Sequence, residues 1–242
     1  MFNRFFFSRV IVNLGYELLS VCRRYQDIVY PLLFLIITVV LFPLSSNADL
    51  QAIEKIAPGV FWVIILFLLM LTLEQLFRED WQEGELEQLI LNQTDLLSAV
   101  FIKLFVFCLM LAVPVTIMAP ILSLTLSIPM MALKTLLISL WLGMPTLVFL
   151  GGIARVLTLG LRHSGLLIVL LVLPFYVPVL IFASGAVTLA SMGLAANASL
   201  AWLGVFLLLS VSLAPFVISF VLRQKQQDSP FHVVWLVNAY LK

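Results

Sequence analysis

Ala57-Pro58-Gly59-Val60-Phe61-Trp62-Val63-Ile64-Ile65-Leu66-Phe67-Leu68-Leu69-Met70-Leu71-Thr72-Leu73-Glu74-Gln75-Leu76-Phe77 carries a single charged residue, Glu74, and that residue stands near its end. Crossing about 30 Å of hydrocarbon takes roughly 20 helical residues at about 1.5 Å each, which is the length of this stretch. Windows of the same kind recur, so that six spans are expected near 28–46, 57–77, 96–122, 131–152, 164–188 and 199–222. The composition agrees: 63% of the 242 residues are hydrophobic and 10% charged, where soluble domains hold about 45–50% and about 25%. Lipid leaves no partner for an unpaired backbone group, and the alternation of a barrel strand is missing, so the spans are read as helices. The expected fold is an all-α polytopic membrane protein with six transmembrane helices.

Orientation follows from the basic residues. In a six-span chain Arg4, Arg9, Arg23, Arg24, Arg78, Lys103, Arg155, Arg162, Arg223, Lys225 and Lys242 fall on one side, and Lys55 and Lys134 on the other. Such a bias places the first side in the cytoplasm, with both termini and the loops after the second and fourth spans. Residues 5–27 read as an amphipathic helix lying in the membrane interface. Phe7, Ile11, Leu14, Leu18, Val21 and Tyr25 recur at helical spacing, apart from a polar stripe of Asn13, Glu17, Ser20, Arg24 and Asp27. Arg4 and Arg9 flank Phe5, Phe6 and Phe7 too closely for a signal-peptide core, so no cleaved signal is expected. The organisation is then an interfacial helix at 1–27, a six-helix domain at 28–222 and a cytoplasmic tail at 223–242.

One segment has a composition of its own. Of the chain's 12 acids, Glu74, Glu79, Asp80, Glu83, Glu85, Glu87 and Asp95 fall between 74 and 95. A topology signal would be basic, and this loop is acidic. Gly84 breaks the segment, and beyond it Leu86, Leu89 and Ile90 face one way on a short helix while Glu83 and Glu87 face another. An apolar ridge with an acidic rim, projecting from the membrane, fits a groove on a partner protein. Glu74 admits three readings: a helix-end salt bridge to Arg78 at i+4, a mobile switch, or a snorkelling acid. Pro145, Pro174 and Pro178 interrupt the fourth and fifth spans, either as packing bends or as hinges that move in transport.

Several chemistries find no support. No Gly-x-x-x-x-Gly-Lys-Ser/Thr phosphate loop occurs, so the energy of ATP must come from a separate subunit. His163 and His232 lie outside the expected spans, Cys22 and Cys108 lie at different depths, and no metal-ligand spacing or catalytic triad is visible. Nucleic acid has no basic patch to bind. Met110, Met118, Met144 and Tyr176 are of types that ligate haem iron, but among aliphatic neighbours they read as packing residues.

The span ending in Glu74, the charged Arg78-Glu79-Asp80, and Glu83-Gly84 followed by Leu86-Glu87-x-Leu89 resemble the coupling-helix region of ABC-2-type permeases. Four blocks, Ile56 to Val63, Leu73 to Arg78, Leu142 to Gly151 and Leu173 to Ala183, resemble in order and spacing the haem exporter protein B (CcmB) family of cytochrome c maturation. The resemblance runs from about residue 4 to 223. It implies an ABC-2-type permease architecture and ATPase-coupling roles for Glu74, Arg78, Glu79, Asp80, Glu83, Gly84, Glu85, Leu86, Glu87 and Leu89. It also implies a homodimer in the bacterial inner membrane working with the ATP-binding subunit CcmA, with CcmC and CcmD, and with the periplasmic haem chaperone CcmE. Haem is then cargo, ATP is bound by the partner, and no catalytic residue, metal or resident cofactor is expected. An ABC-2 permease exporting lipid-linked glycan or a drug would share the coupling loop and is the competing reading.

Overall fold

The computed structural model describes residues 26–45, 50–77, 96–159 and 164–227. Among these the regular elements are helices: α1 (Gln26–Ser45), α2 (Leu50–Leu73), α3 (Leu96–Thr125), α4 (Met130–Thr158), α5 (Ser164–Ser191) and α6 (Asn197–Gln227). The expected interfacial helix at 1–27 falls almost wholly outside the described residues; of the expected tail at 223–242, residues 223–227 continue α6 and the rest fall outside them.

α2 to α6 are each long and apolar enough to cross a membrane, whereas the apolar stretch of α1, Val29–Leu44, is shorter. The surface supports the same reading. Leu166, Leu170, Ile181, Leu208, Phe216 and Phe220 are more than half exposed, and water would not tolerate so continuous an apolar exterior. The chain is a multi-pass membrane protein.

α4 is the hub, packing against α2, α3, α5 and α6, while α1 packs mainly on α2 and α3. In lipid, helices associate by close packing rather than by expulsion of water, and small residues let backbones approach. α4 supplies such residues. A methyl group at Gly143 would meet the Trp62 ring at 2.5 Å, and one at Gly151 would meet Leu73 at 2.4 Å and the Tyr176 hydroxyl at 2.5 Å. The hydroxyls of Thr72, Ser139, Thr146 and Thr158 turn back onto carbonyls of their own helices, which satisfies them in an apolar core.

The turns explain where the helices stop. After α3, Ser127 adopts a left-handed conformation (φ 57°), with Ile128 N–H bonded to the Ser123 carbonyl at 2.9 Å and Ser127 N–H to that of Leu124 at 3.1 Å. That is a Schellman cap, and Pro129 then starts α4. α5 ends in the same way on Gly193 (φ 72°), with Leu194 N–H on the Leu189 carbonyl at 2.9 Å and Gly193 N–H on that of Ala190 at 3.1 Å.

The expected spans overlap the helices one for one, with corrected ends. The second was read as 57–77; its helix begins at Leu50 and stops at Leu73, and residues 74–77 form a turn. The helix accommodates Pro58 in its interior. The fourth and sixth helices run past the expected 152 and 222, to Thr158 and Gln227.

Candidate functional site

The acid-rich segment follows the end of α2, and the turn before it, residues 74–77, is firmly held. Gln75 N–H bonds to the Thr72 carbonyl at 3.1 Å and Leu76 N–H to the Leu73 carbonyl at 3.2 Å. Phe77 then takes φ 64°. Ser127 and Gly193 do the same after α3 and α5, but a bulky aromatic residue pays about 1 kcal/mol or more for a left-handed backbone. Compensation comes from packing: the Phe77 ring is 2% exposed, and the Lys103 ammonium of α3 lies 5.7 Å from its centroid, within cation–π range.

The carbonyl just before Phe77 is taken by another helix. Arg155, in the last turn of α4 and 4% exposed, donates its Nε–H to the Leu76 carbonyl at 2.9 Å. A helix C-terminus leaves carbonyls without intrahelical donors and carries partial negative charge, so a cation there satisfies both needs. The pattern repeats once. Lys225 of α6 donates from Nζ to the Leu157 carbonyl at 3.2 Å and, more closely, to that of Leu159, which closes the C-terminus of α4. Glu74 completes the set with opposite sign. Its carboxylate lies against Gly165 at the start of α5, where a methyl group would be 3.5 Å from Oε2, and an anion is favoured at a helix N-terminus.

These contacts bring five helix ends together: the C-termini of α2, α4 and α6 and the N-terminal parts of α3 and α5. Consecutive helices from α2 to α6 therefore run antiparallel, and Lys103, Arg155 and Lys225 share one end of the bundle. Lys55 and Lys134, near the starts of α2 and α4, stand at the opposite end.

Of the residues singled out from the sequence, Glu74 is exposed, in the turn after α2. The i,i+4 pairing with Arg78 presumed a continuing helix, and the helix has ended at Leu73. Arg78, Glu79, Asp80, Glu83, Gly84, Glu85, Leu86, Glu87 and Leu89 lie outside the described residues. Pro145 is inside α4, and Pro174 and Pro178 are inside α5. Of the residues with haem-ligating side chains, Met144 and Tyr176 are fully enclosed, and Tyr176 donates its hydroxyl to the Leu147 carbonyl of α4 at 2.5 Å. Cys108 is a buried free thiol.

Arg155, Lys225 and Lys103 had been read only as markers of sidedness. Their partners are backbone carbonyls and a ring on other helices, which no spacing along the chain announces.

The family model for CcmB protein matches residues 10–225. The chain is 37% identical over 197 residues to Heme exporter protein B of Pseudomonas aeruginosa, covering 81% of this chain and 88% of that protein. It is 38% identical over 207 residues to Heme exporter protein B of Haemophilus influenzae and 39% identical over 207 residues to that of Escherichia coli K12, each match covering 86% of this chain and 94% of the relative. With the family model spanning both the held turn and the helices that hold it, the chain belongs to the CcmB family.

Proposed function

We propose that this chain is the membrane permease subunit of a haem exporter that serves the maturation of c-type cytochromes, driven by ATP hydrolysis in a separate subunit. It resides in the bacterial inner membrane with α1 as the first of six spans and an interfacial helix before it. Both termini and the 78–95 segment face the cytoplasm, in an ABC-2-type architecture. The segment docks on the ATP-binding subunit CcmA through Leu86 and Leu89, rimmed by Glu79, Asp80, Glu83, Glu85 and Glu87, with Gly84 as the break. A second copy of the chain, CcmC, CcmD and the chaperone CcmE complete the working assembly, and haem is the cargo.

The observation that carries the reading is the hold on residues 76 and 77. A loop that only joined two spans would need no buried arginine on its first carbonyl and no strained aromatic anchor. A loop that must pass force into the membrane needs a stiff root, and this one is tied to α4, the helix that touches α2, α3, α5 and α6. Basic residues gather at the same end, as expected of a cytoplasmic face. Motion of the docked segment reaches α4 through Leu76 and Arg155 and spreads from there. Met144 and Tyr176 are enclosed and Met110 and Met118 are partly buried; methionines among aliphatic neighbours read as packing residues, which favours a lever acting on haem handling over a haem-coordinating path.

The test is haem-dependent stimulation of the partner's ATPase in the purified complex. Saturable stimulation by haem is expected. Stimulation by lipid-linked sugars or drugs, with none by haem, transfers the chain to another export class.

A further inference from the structure

The clasps lie at one end of the bundle, and the far end is reached only through helices interrupted by proline. Proline removes one ladder hydrogen bond and frees the carbonyl four residues earlier, so Pro145 weakens α4 around Trp141, and Pro174 and Pro178 weaken α5 around Leu170 and position 174 itself. Tyr176 lies between the two prolines of α5, and Leu147 lies two residues beyond the proline of α4. Counted from Thr158 and Ser164, both are about 16–18 Å from the clasped end, near half of a hydrocarbon layer of about 30 Å.

At that depth Tyr176 crosses to α4. The side chain is fully buried, and its hydroxyl donates to the Leu147 carbonyl at 2.5 Å. Room for it comes from Gly151, where a methyl group would meet the hydroxyl oxygen at 2.5 Å and Leu73 at 2.4 Å. A carbonyl has two lone pairs, so Leu147 accepts this bond in addition to any within its helix. A hydroxyl enclosed in an apolar core without a partner is costly, so the bond fixes the register of the two helices rather than decorating it.

We propose that Tyr176 is a positioning residue of the transport cycle: its hydroxyl latches α5 to α4 at the level of their prolines, so that displacement of α4 carries the far half of α5 with it. The proposal rests on the permease reading, and it adds the point at which force crosses from one helix to the next.

Tyr176→Phe deletes one oxygen and keeps the ring, and two measurements on it test the latch. In the full chain purified alone, nitroxide labels at the exposed Ile138 and Ile181, in a background without Cys22 and Cys108, report the spacing of the far halves of α4 and α5. The Tyr176 form should give one narrow distance distribution and the Phe form one at least twice as broad; equal widths overturn the latch, whether or not any ATPase partner exists. In membranes carrying the whole complex, the variant should accumulate normally and keep the partner's ATPase rate within about twofold, while the yield of c-type cytochrome falls at least fivefold. Unchanged yield overturns the positioning role, and so does a parallel fall of ATPase rate and yield, which is what simple loss of fold produces.

Discussion

Arg155 and Leu76 are 79 residues apart in sequence, yet the guanidinium Nε of one donates to the carbonyl of the other at 2.9 Å inside the protein. The bond joins the end of the central helix to the first turn of the segment that leaves α2. Phe77 follows in a left-handed conformation, and the Leu76 carbonyl, beyond the end of its own helix, is met by Arg155.

Removing that donor leaves a buried carbonyl with its desolvation uncompensated, at a cost of about 1–3 kcal/mol. Arg155→Ala should therefore lower the thermal midpoint in detergent and lower haem-stimulated ATPase activity further than stability alone accounts for. Arg155→Lys should restore neither, since a lysine ends in a point charge without the planar fork. Wild-type coupling in Arg155→Ala would show that the clasp transmits nothing.

Phe77 offers a comparison in which the usual order of two substitutions reverses. Alanine removes the ring and keeps the left-handed strain; glycine removes both, and in an ordinary helix glycine is the worse residue. Phe77→Gly should be more stable than Phe77→Ala by about 1 kcal/mol, with both below the wild type. Thermal unfolding of the two variants decides it, and an alanine variant as stable as the glycine one would contradict the turn described here.

Gly143 and Trp62 make a third test. A methyl group at 143 would stand 2.5 Å from Cη2 of a fully buried, rigid indole, an overpacking worth about 1–3 kcal/mol. Gly143→Ala should lose about that much. Trp62→Phe in the same chain should recover most of it, because it shortens the ring and deletes an Nε1 that has no hydrogen-bond partner among the described residues. Gly152→Ala should cost less, because its first obstacle is the Leu104 Cδ2 methyl at 2.7 Å, the end of a side chain that can rotate. Equal losses at the two positions would refute the ranking.

The helices themselves were plain in the sequence, since a run such as 57–73 has no other stable form in lipid. Their ends were less so. Phe77 carries no local signal for a left-handed residue, whereas Gly193 does, and the expected end of the second span accordingly lies four residues beyond the helix. Arg155 and Lys225 are legible as charges sharing one end of the bundle, but not as clasps. Their acceptors are main-chain carbonyls, which every residue has, and only the packing of α4 against its neighbours selects Leu76, Leu157 and Leu159. Pro145, Pro174 and Pro178 were legible as weak points, and the Tyr176 bond between them was not, for the same reason.

The docking proposed for residues 78–95 rests on Leu86 and Leu89. Leu86→Asp and Leu89→Asp place a charge on the residues proposed to dock on the ATP-binding subunit. Co-purification of that subunit from membranes, normalised to the amount of inserted chain, should be complete for the unaltered protein and fall at least tenfold for either variant. Undiminished co-purification of both variants would contradict the docking assignment.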